Sequence, residues 1–286
     1  MERLILDTDI GTDIDDAYAL AFILGCPEFD LVGVTTAYGP TARRANLARA
    51  LLDLAGRPEV PVFVGLSGRG DIQERSGQLD WGDSHATRPQ RDDDAVDWLI
   101  KTIMASPGEV SLLAVGPLTN IGAALAREPG IAAKVRRVAF MAGSVRKGHN
   151  GRPPAVPEYN IVCDIPAAQA VFTAGWQPLV APLDVTMLMN IDAAHRDRIT
   201  REGGALGQAL AELYTRWHPQ DPILHDPLAG ALMLRPDLAT IDPLRLVVED
   251  DGLTREVPGE PTCQAALTAN REGFIEFYTD RVTGGL

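Results

Sequence analysis

The sequence has few cysteines, no surplus of positive charge and no long hydrophobic run. Its three cysteines, Cys26, Cys163 and Cys263, lie far apart and form no CxxC motif, so we expect neither a disulfide framework nor a zinc site. The net charge of −13 repels phosphate backbones and argues against a nucleic acid partner. No apolar run is long enough to span a bilayer, so we expect no membrane partner. A small neutral substrate and a metal cation fit this composition better.

The N-terminal sequence MERLILD lacks the basic region, the longer apolar core and the small-residue cleavage site of a signal peptide. We therefore expect a cytoplasmic location. The 286 residues, 45% of them hydrophobic and 23% charged, are enough to bury a substantial core. The chain has no internal repeat and no low-complexity tail, and we expect a single α/β domain over residues 1–286.

Five aspartates are concentrated in the segment 4–20, LILDTDIGTDIDDAYAL, which reads as a strand, a loop and a helix. They are Asp7, Asp9, Asp13, Asp15 and Asp16. One or two of them would be ordinary capping residues at a helix N-terminus. Two like charges about 4 Å apart repel by about 4 kcal/mol at an effective dielectric constant near 20, so the cluster needs a cation or protonation. A hard divalent ion held by oxygen atoms satisfies this need.

The rest of the chain alternates β-branched apolar runs with helical segments. This pattern predicts a mostly parallel, doubly wound, Rossmann-like sheet flanked by helices. Two long irregular segments, 65–91 and 143–157, interrupt it, and loops of this length are usually functional or mobile. In open parallel sheets ligands bind beyond the carboxyl ends of the strands, where Asp7 and Asp9 are expected to lie.

The C-terminal third is predicted to be mainly helical. A helical segment over 193–217 has a break at Gly203-Gly204, and a turn-rich connection follows at 218–224. Pro227 suits the first position of the next helix, which would make Asp226 its N-cap. The runs 244–249 and 261–267 are predicted strands that could form a hairpin.

Six short motifs follow one another in a characteristic order: DTDIG with DDA (7–17), VTTAYG (34–39), VGPLTN (115–120), FMAGS (140–144), PEYNIVCD (157–164) and HDP (225–227). From Leu4 to about Leu234 the chain resembles the nucleoside hydrolase family, of the calcium-dependent inosine-uridine preferring type. The acid cluster alone would only be suggestive, but its combination with GPLTN, EYN and HDP is highly specific. The resemblance implies the nucleoside hydrolase fold, hydrolysis of ribonucleosides to free base and ribose in nucleoside salvage, and a homo-oligomer, either a dimer or a tetramer.

The resemblance also implies the residues of a calcium site and of catalysis. The implied Ca²⁺ ligands are the carboxylates of Asp9, Asp16 and Asp226 and the main-chain carbonyl of Val115. Asp9 would be the general base for a metal-bound water that attacks the anomeric carbon of the ribose. His225 would lie near the leaving base and protonate it.

The implied substrate contacts surround a ribose whose transition state resembles an oxocarbenium ion. Asp15, Glu158 and Asn160 would bind the ribose hydroxyls, and Met141 would lie near the sugar. Trp81, in the sequence WGDSH, could stack on the nucleobase, because similarly placed aromatic residues do so in purine-preferring relatives. This residue is the basis for an expected preference for purine nucleosides.

The chain departs from the family pattern at two places. The loop between Asp9 and Asp15 has two additional residues, so either Asp13 takes over a ligand role or the loop bulges and leaves Asp15 and Asp16 in theirs. We favour the bulge, because Asp15-Asp16-Ala17 keeps the end of the motif. Pro40 replaces an asparagine that would normally reach the sugar.

Two alternative functions remain open at this point. LILDTDIG also resembles the opening of haloacid-dehalogenase phosphatases, in which Asp7 would be the nucleophile and Asp9 the acid, with Mg²⁺. That function needs a downstream lysine, for which the chain offers only Lys101, Lys134 and Lys147, and it leaves GPLTN, EYN and HDP unexplained. The second alternative is a calcium- or nucleoside-binding protein that has kept the fold and lost turnover.

Overall fold

The computed structural model describes residues 1–68, 76–87, 93–217 and 220–284. Parts of two predicted irregular segments, 65–91 and 218–224, lie outside the described residues. Across the described ranges, none of the helices has both the length and the apolar character needed to cross a membrane.

Strands and helices alternate along the described residues, with ten strands and twelve α-helices. The strands are β1 (Glu2–Thr8), β2 (Phe29–Thr36), β3 (Val62–Val64), β4 (Val110–Ala114), β5 (Val138–Met141), β6 (Leu179–Ala181), β7 (Ala239–Leu244), β8 (Leu246–Val248), β9 (Thr254–Glu256) and β10 (Cys263–Ala269). The helices are α1 (Asp15–Leu24), α2 (Thr41–Leu54), α3 (Gly77–His85), α4 (Ala95–Ala105), α5 (Thr119–Arg127), α6 (Tyr159–Val162), α7 (Ile165–Phe172), α8 (Leu183–Thr186), α9 (Ala193–Glu202), α10 (Gly204–Trp217), α11 (His225–Leu234) and α12 (Arg271–Thr283).

Eight strands in the described part of the chain form one sheet, in the order β3-β2-β1-β4-β5-β6-β10-β7. Neighbouring strands are parallel, except that β7 pairs antiparallel with β10 at the edge. The chain moves outward from β1 to β3 on one side and then from β4 to β6 on the other. This arrangement confirms the predicted doubly wound sheet and places its topological switch point between β1 and β4.

The sheet is covered by helices on both faces, and successive side chains of β1 pack against helices on opposite faces. Leu4 and Leu6 pack into one hydrophobic core with α1, α2, α11 and α12, whereas Ile5 packs into a second core with α4, α5 and α7. All three side chains are fully buried. Because successive side chains of a strand point to opposite faces, a strand buried on both faces reads as a continuous apolar run.

Two local predictions were wrong. The runs 244–249 and 261–267 do not form the predicted hairpin, and the only strand pair between them in the described residues is Leu244 with Cys263. Instead β10 pairs with β7, and β8 pairs with β9 in a separate two-stranded sheet. Gly252, with φ of +83°, lies in the turn between β8 and β9, and glycine adopts such a conformation without strain. The second error is that α3 is helical within a segment predicted to be irregular; Ser76 caps it by accepting a hydrogen bond from the Gln78 N–H at 3.2 Å.

Candidate active site

A cavity of about 400 Å³ lies at the carboxyl ends of β1, β4 and β5. It is lined by nine of the residues predicted for the site: Asp9, Asp15, Asp16, Val115, Met141, Glu158, Asn160, His225 and Asp226. Thr12, Asp13, His149, Tyr159, Leu183 and Met187 also line it. A cavity of this size is within the range that holds small-molecule ligands in proteins.

The strand register explains why residues so far apart in the sequence meet here. Asp7 pairs with Ala114 across β1 and β4, and Ala114 pairs with Phe140 across β4 and β5. The residues that follow these strands therefore leave the sheet side by side. Asp9, Val115 and Met141 consequently line the cavity at the switch point.

Three carboxylates form the strongest candidate for a metal site in the described residues. Oxygen atoms of Asp15, Asp16 and Asp226 lie within 4.8 Å of one another, and all three residues are buried. Asp15 and Asp16 are in the first turn of α1, and Asp226 is in the first turn of α11. Asp15 Oδ2 accepts a hydrogen bond from the Asp226 N–H at 3.3 Å, and Asp16 accepts one from the Thr8 hydroxyl.

Burial, followed by the mutual repulsion of the aspartates, raises the pKa of all three carboxyls well above the usual range. Without a cation these groups would have to bind protons. Bound divalent charge removes that cost, and carboxylate oxygens are the ligands that hard cations prefer. The residues present therefore fit a divalent metal ion.

Thr12 and Asp13, in the loop with two additional residues, lie at the cavity. Asp13 lines the cavity but does not belong to the group of three carboxylates. Two buried side chains hold this loop by its main-chain carbonyls. The Arg44 guanidinium donates to the carbonyls of Asp9 and Ile10, and Gln78 Nε2 donates to the Asp13 carbonyl at 3.0 Å.

Arg44 and Gln78 were missed by the sequence reasoning. Both are fully buried polar residues of α2 and α3. Charged or amide side chains on a helix are ordinarily exposed, and no local pattern in the sequence distinguishes Arg44 from the neighbouring Arg43. Only their distance in space from the loop after β1 reveals what they contact.

Asp7 does not face the cavity. Its carboxylate Oδ2 accepts hydrogen bonds from the Thr35 hydroxyl at 2.7 Å and from Asn120 Nδ2 at 2.8 Å. Burial raises the pKa of Asp7 to about 7, although these two hydrogen bonds act in the opposite direction. The last residue of the VGPLTN motif thus binds the end of β1 rather than a ligand.

Glu158 and Asn160 lie at the start of the short helix α6, Glu158 as its N-cap and Asn160 in its first turn. The Glu158 carboxylate accepts hydrogen bonds from the N–H groups of Gly143 and Asn160, both at 2.8 Å. Burial raises the pKa of Glu158 to about 7. Both side chains still face inwards, because a residue that caps a helix and one in its first turn can line the same side.

Asn160 joins two main-chain carbonyls at the base of the cavity. Its Nδ2 donates to Val115 O and to Met141 O, both at 2.9 Å. Val115 O was predicted to bind the metal. Since a carbonyl oxygen has two lone pairs, it can accept from Asn160 and still bind a cation.

His225 begins helix α11, and its neighbour Asp226 is not the N-cap that the sequence predicted. Leu224 occupies the N-cap position, and Asp226 lies inside the first turn, where its carboxylate joins the group of three. His225 Nδ1 lies 2.8 Å from the hydroxyl oxygen of Thr186. Burial, and to a lesser degree electrostatic repulsion from the nearby His149, lowers the pKa of His225 to about 4, so its imidazole is neutral near pH 7.

Trp81 is a core residue, and its predicted role in stacking on a nucleobase is wrong. It is only 2% exposed and does not line the cavity. Its indole Nε1 donates to Glu212 Oε2 at 2.8 Å, and its ring stacks on His85 with a centroid distance of 4.2 Å. The amphipathic packing of α3 buries this tryptophan, which removes the basis for the expected purine preference.

A doubly wound sheet with a buried group of carboxylates and a ligand-sized cavity at its switch point is the arrangement of a protein that binds a metal ion and a small molecule. The family described as "Inosine-uridine preferring nucleoside hydrolase" matches residues 4–276 of the chain. The chain belongs to this family and is an N-ribohydrolase. The haloacid-dehalogenase alternative is therefore wrong; its nucleophile would be Asp7, which is buried and held by Thr35 and Asn120.

The similar proteins differ in the bases that their names specify. The chain is 32% identical over 271 residues to uridine nucleosidase 1 of Arabidopsis thaliana, which covers 88% of this chain and 80% of that protein. It is 29% identical to a pyrimidine-specific ribonucleoside hydrolase of Salmonella arizonae, over 98% of this chain and 97% of that protein. A purine-preferring ribonucleoside hydrolase from Gardnerella vaginalis has a similar structure, with a TM-score of 0.86, 28% identity and coverage of 99% and 98%.

Proposed function

We propose that this protein is a calcium-dependent ribonucleoside hydrolase that releases a free nucleobase and ribose. The observation that carries the proposal is the group of buried aspartates, Asp15, Asp16 and Asp226, which faces a cavity beside Asp9. Such a group is stable when it holds a divalent cation, and the adjacent cavity can hold a nucleoside.

The proposed Ca²⁺ ligands are Asp9, Asp16, Asp226 and the Val115 carbonyl. Carboxylate and carbonyl oxygens together suit Ca²⁺, which accepts six to eight oxygen ligands in flexible geometry. When bound, the cation supplies positive charge that lowers the pKa of a coordinated water and fixes its position. Asp15, whose oxygen atoms lie within 4.8 Å of those of Asp16 and Asp226, is proposed to bind a ribose hydroxyl next to the metal.

The chain's own residues would carry out the remaining steps. Asp9 accepts the proton of the water that attacks the anomeric carbon. Asp15 and Glu158 accept hydrogen bonds from the ribose hydroxyls, as does Oδ1 of Asn160, whose Nδ2 is held by Val115 O and Met141 O. Met141 contacts the sugar. As the glycosidic bond breaks, positive charge develops on the ribose, and the surrounding carboxylates stabilise it.

In this proposal the nucleobase lies beside Leu183, Met187, His149 and His225, which line the cavity and carry no carboxylate. His225 is neutral near pH 7, so in this proposal it assists the leaving base by donating a hydrogen bond from its ring N–H. We assign no preference between purines and pyrimidines. We further propose that the protein is a cytoplasmic homo-oligomer that acts in nucleoside salvage. Size-exclusion chromatography tests the oligomeric state.

The experiment that tests the function is release of reducing sugar from inosine, adenosine, uridine and cytidine, with and without a chelator. Activity that is lost with the chelator and restored by added Ca²⁺, but not by Mg²⁺, is expected. Activity that resists complete metal removal would contradict the calcium proposal. Saturable nucleoside binding without sugar release would instead identify a binding protein that has lost turnover.

A further inference from the structure

Thr186 is a buried polar residue that the proposed mechanism does not use. It is the last residue of α8, the short helix that follows β6, and it is fully buried. Its hydroxyl oxygen lies 2.8 Å from Nδ1 of His225 at the start of α11. The contact joins helices α8 and α11 through two residues that are 39 positions apart in the sequence.

The direction of this hydrogen bond follows from the needs of both groups. A threonine hydroxyl has one proton to donate, and in the described residues the only hydrogen-bond partner of Thr186 Oγ1 is His225 Nδ1. If Nδ1 of the neutral ring carried the proton, the buried hydroxyl proton would have no acceptor, and leaving a buried donor unpaired is unfavourable. The hydroxyl is therefore the donor, Nδ1 is the acceptor and Nε2 carries the ring proton.

The same contact leaves the second ring nitrogen free to meet a ligand. His225 lines the cavity, and Nδ1 is held on the side of α8. Among the described residues, no hydrogen-bond partner is present for Nε2. Nε2 carries a proton in both the neutral and the cationic ring, so its role as a donor does not depend on the titration of His225.

We propose that Thr186 is a positioning residue for the hydrolysis, whose hydroxyl holds the His225 ring so that Nε2–H is presented to the leaving nucleobase. The inference rests on the proposed function of the cavity. Purines and pyrimidines both carry ring nitrogens or carbonyl oxygens that accept such a hydrogen bond. The contact would strengthen as negative charge develops on the departing base, so it acts on turnover more than on binding.

The first test measures the tautomer directly, without substrate. Histidine side chains labelled with ¹⁵N give different nitrogen shifts for Nδ1–H and Nε2–H, and His225→Gln assigns the His225 signal among the 5 histidines. The expected result is an Nε2–H tautomer in the parent protein and in Thr186→Ser, and a mixture in Thr186→Val. An Nδ1–H tautomer in the parent, or an unchanged tautomer in Thr186→Val, would overturn the proposal.

The second test is kinetic. Thr186→Val keeps the shape of the side chain and removes the hydroxyl, and we expect kcat to fall about 10- to 100-fold with KM nearly unchanged. Thr186→Ser should restore most of the turnover. Thr279→Val is the matched control, because Thr279 is equally buried and its hydroxyl donates to Ile275 O in α12, away from the cavity. An equal loss of kcat in Thr279→Val would show that the effect is general loss of stability.

The two tests separate this inference from the proposed function. If no nucleoside is hydrolysed but the tautomer responds to Thr186 as expected, the proposed function fails and the positioning of His225 stands. If nucleosides are hydrolysed but the tautomer does not respond, the positioning role fails alone.

Discussion

Gly116 lies directly against Asp9. A Cβ atom at residue 116 would be 2.7 Å from the main-chain nitrogen of Asp9 and 2.8 Å from its Oδ1. These distances are shorter than any real Cβ contact, so only glycine allows the loop after β4 to pass beside the loop after β1. The glycine of VGPLTN has no side chain, and it therefore determines where the Asp9 carboxylate can lie.

The first prediction is that Gly116→Ala displaces the Asp9 carboxylate. We expect kcat to fall about 10- to 100-fold, because a shift of about 1 Å in a catalytic group costs that much. Gly130→Ala is the control, because its Cβ would meet only the flexible end of Glu128. Turnover of Gly116→Ala equal to that of the control would show that the loops can separate without consequence.

The second prediction concerns the general base. Asp9→Asn should keep the fold and lose about 10²- to 10⁴-fold in turnover, because the amide cannot accept the proton of the attacking water. Asp30→Asn serves as the control, since Asp30 lies near the start of β2, at the opposite end of the sheet. Circular dichroism checks the fold of both variants, and near-normal turnover in Asp9→Asn would exclude Asp9 as the base.

The third prediction compares two neighbouring arginines by urea denaturation. Arg44→Leu should lower the free energy of unfolding by about 3 kcal/mol or more, because it leaves the buried carbonyls of Asp9, Ile10 and Tyr38 without their donor. Arg43→Leu should cost less than about 1 kcal/mol, because it breaks only ion pairs with exposed partners. Equal costs would contradict the role assigned to Arg44.

The fourth prediction follows from the burial of Trp81. Trp81→Phe should lower the free energy of unfolding by about 1 kcal/mol, because the hydrogen bond to Glu212 is lost. The ratio of kcat/KM for inosine to that for uridine should not change. A clear change in this ratio would show that Trp81 contributes to binding of the nucleobase.

The fifth prediction concerns pH and metal. The pKa values of Asp7 and Glu158 are raised to about 7, so the folded, metal-free protein binds more protons than the unfolded chain above the ordinary carboxyl pKa values. Stability then decreases as pH rises towards 7, and the raised pKa values of Asp15, Asp16 and Asp226 extend this decrease. The lowered pKa of His225 acts in the opposite direction, but it is a single group.

Thermal unfolding in a chelator between about pH 5 and 7.5 tests this prediction. The Tm of the metal-free protein should fall as pH rises across that interval. Added Ca²⁺ should raise the Tm most at the upper end, where the ligands are ionised without a proton cost. A Tm in chelator that rises with pH would contradict the prediction.

Much of the fold could be predicted because local patterns report it. The apolar run of β1, the break at Gly203-Gly204 and the regular alternation of strands and helices depend on residues close together in the sequence. The pairing of β7 with β10 could not be read in this way. Strand partners are chosen by packing between distant segments, and the sequence showed only that strands were present.

The site residues could be predicted where they belong to motifs that occur in the order typical of the family. Nine of the ten predicted site residues line the cavity, but Trp81 does not. The local sequence around an aromatic residue near a loop does not show whether its side chain faces a ligand or the core. Its placement depends on which face of α3 packs against α2 and α10.

By itself, the sequence determined the presence of strands and helices, the need of the clustered aspartates for a cation or for protonation, and the family of the protein. These follow from local periodicity, from repulsion between like charges and from motif order. Only the tertiary structure decided that Asp15 lies in one group with Asp16 and Asp226, that Arg44 and Gln78 hold the loop after β1, and that Thr186 contacts His225. These contacts join residues far apart in the chain, and packing of the helices against the sheet brings them together.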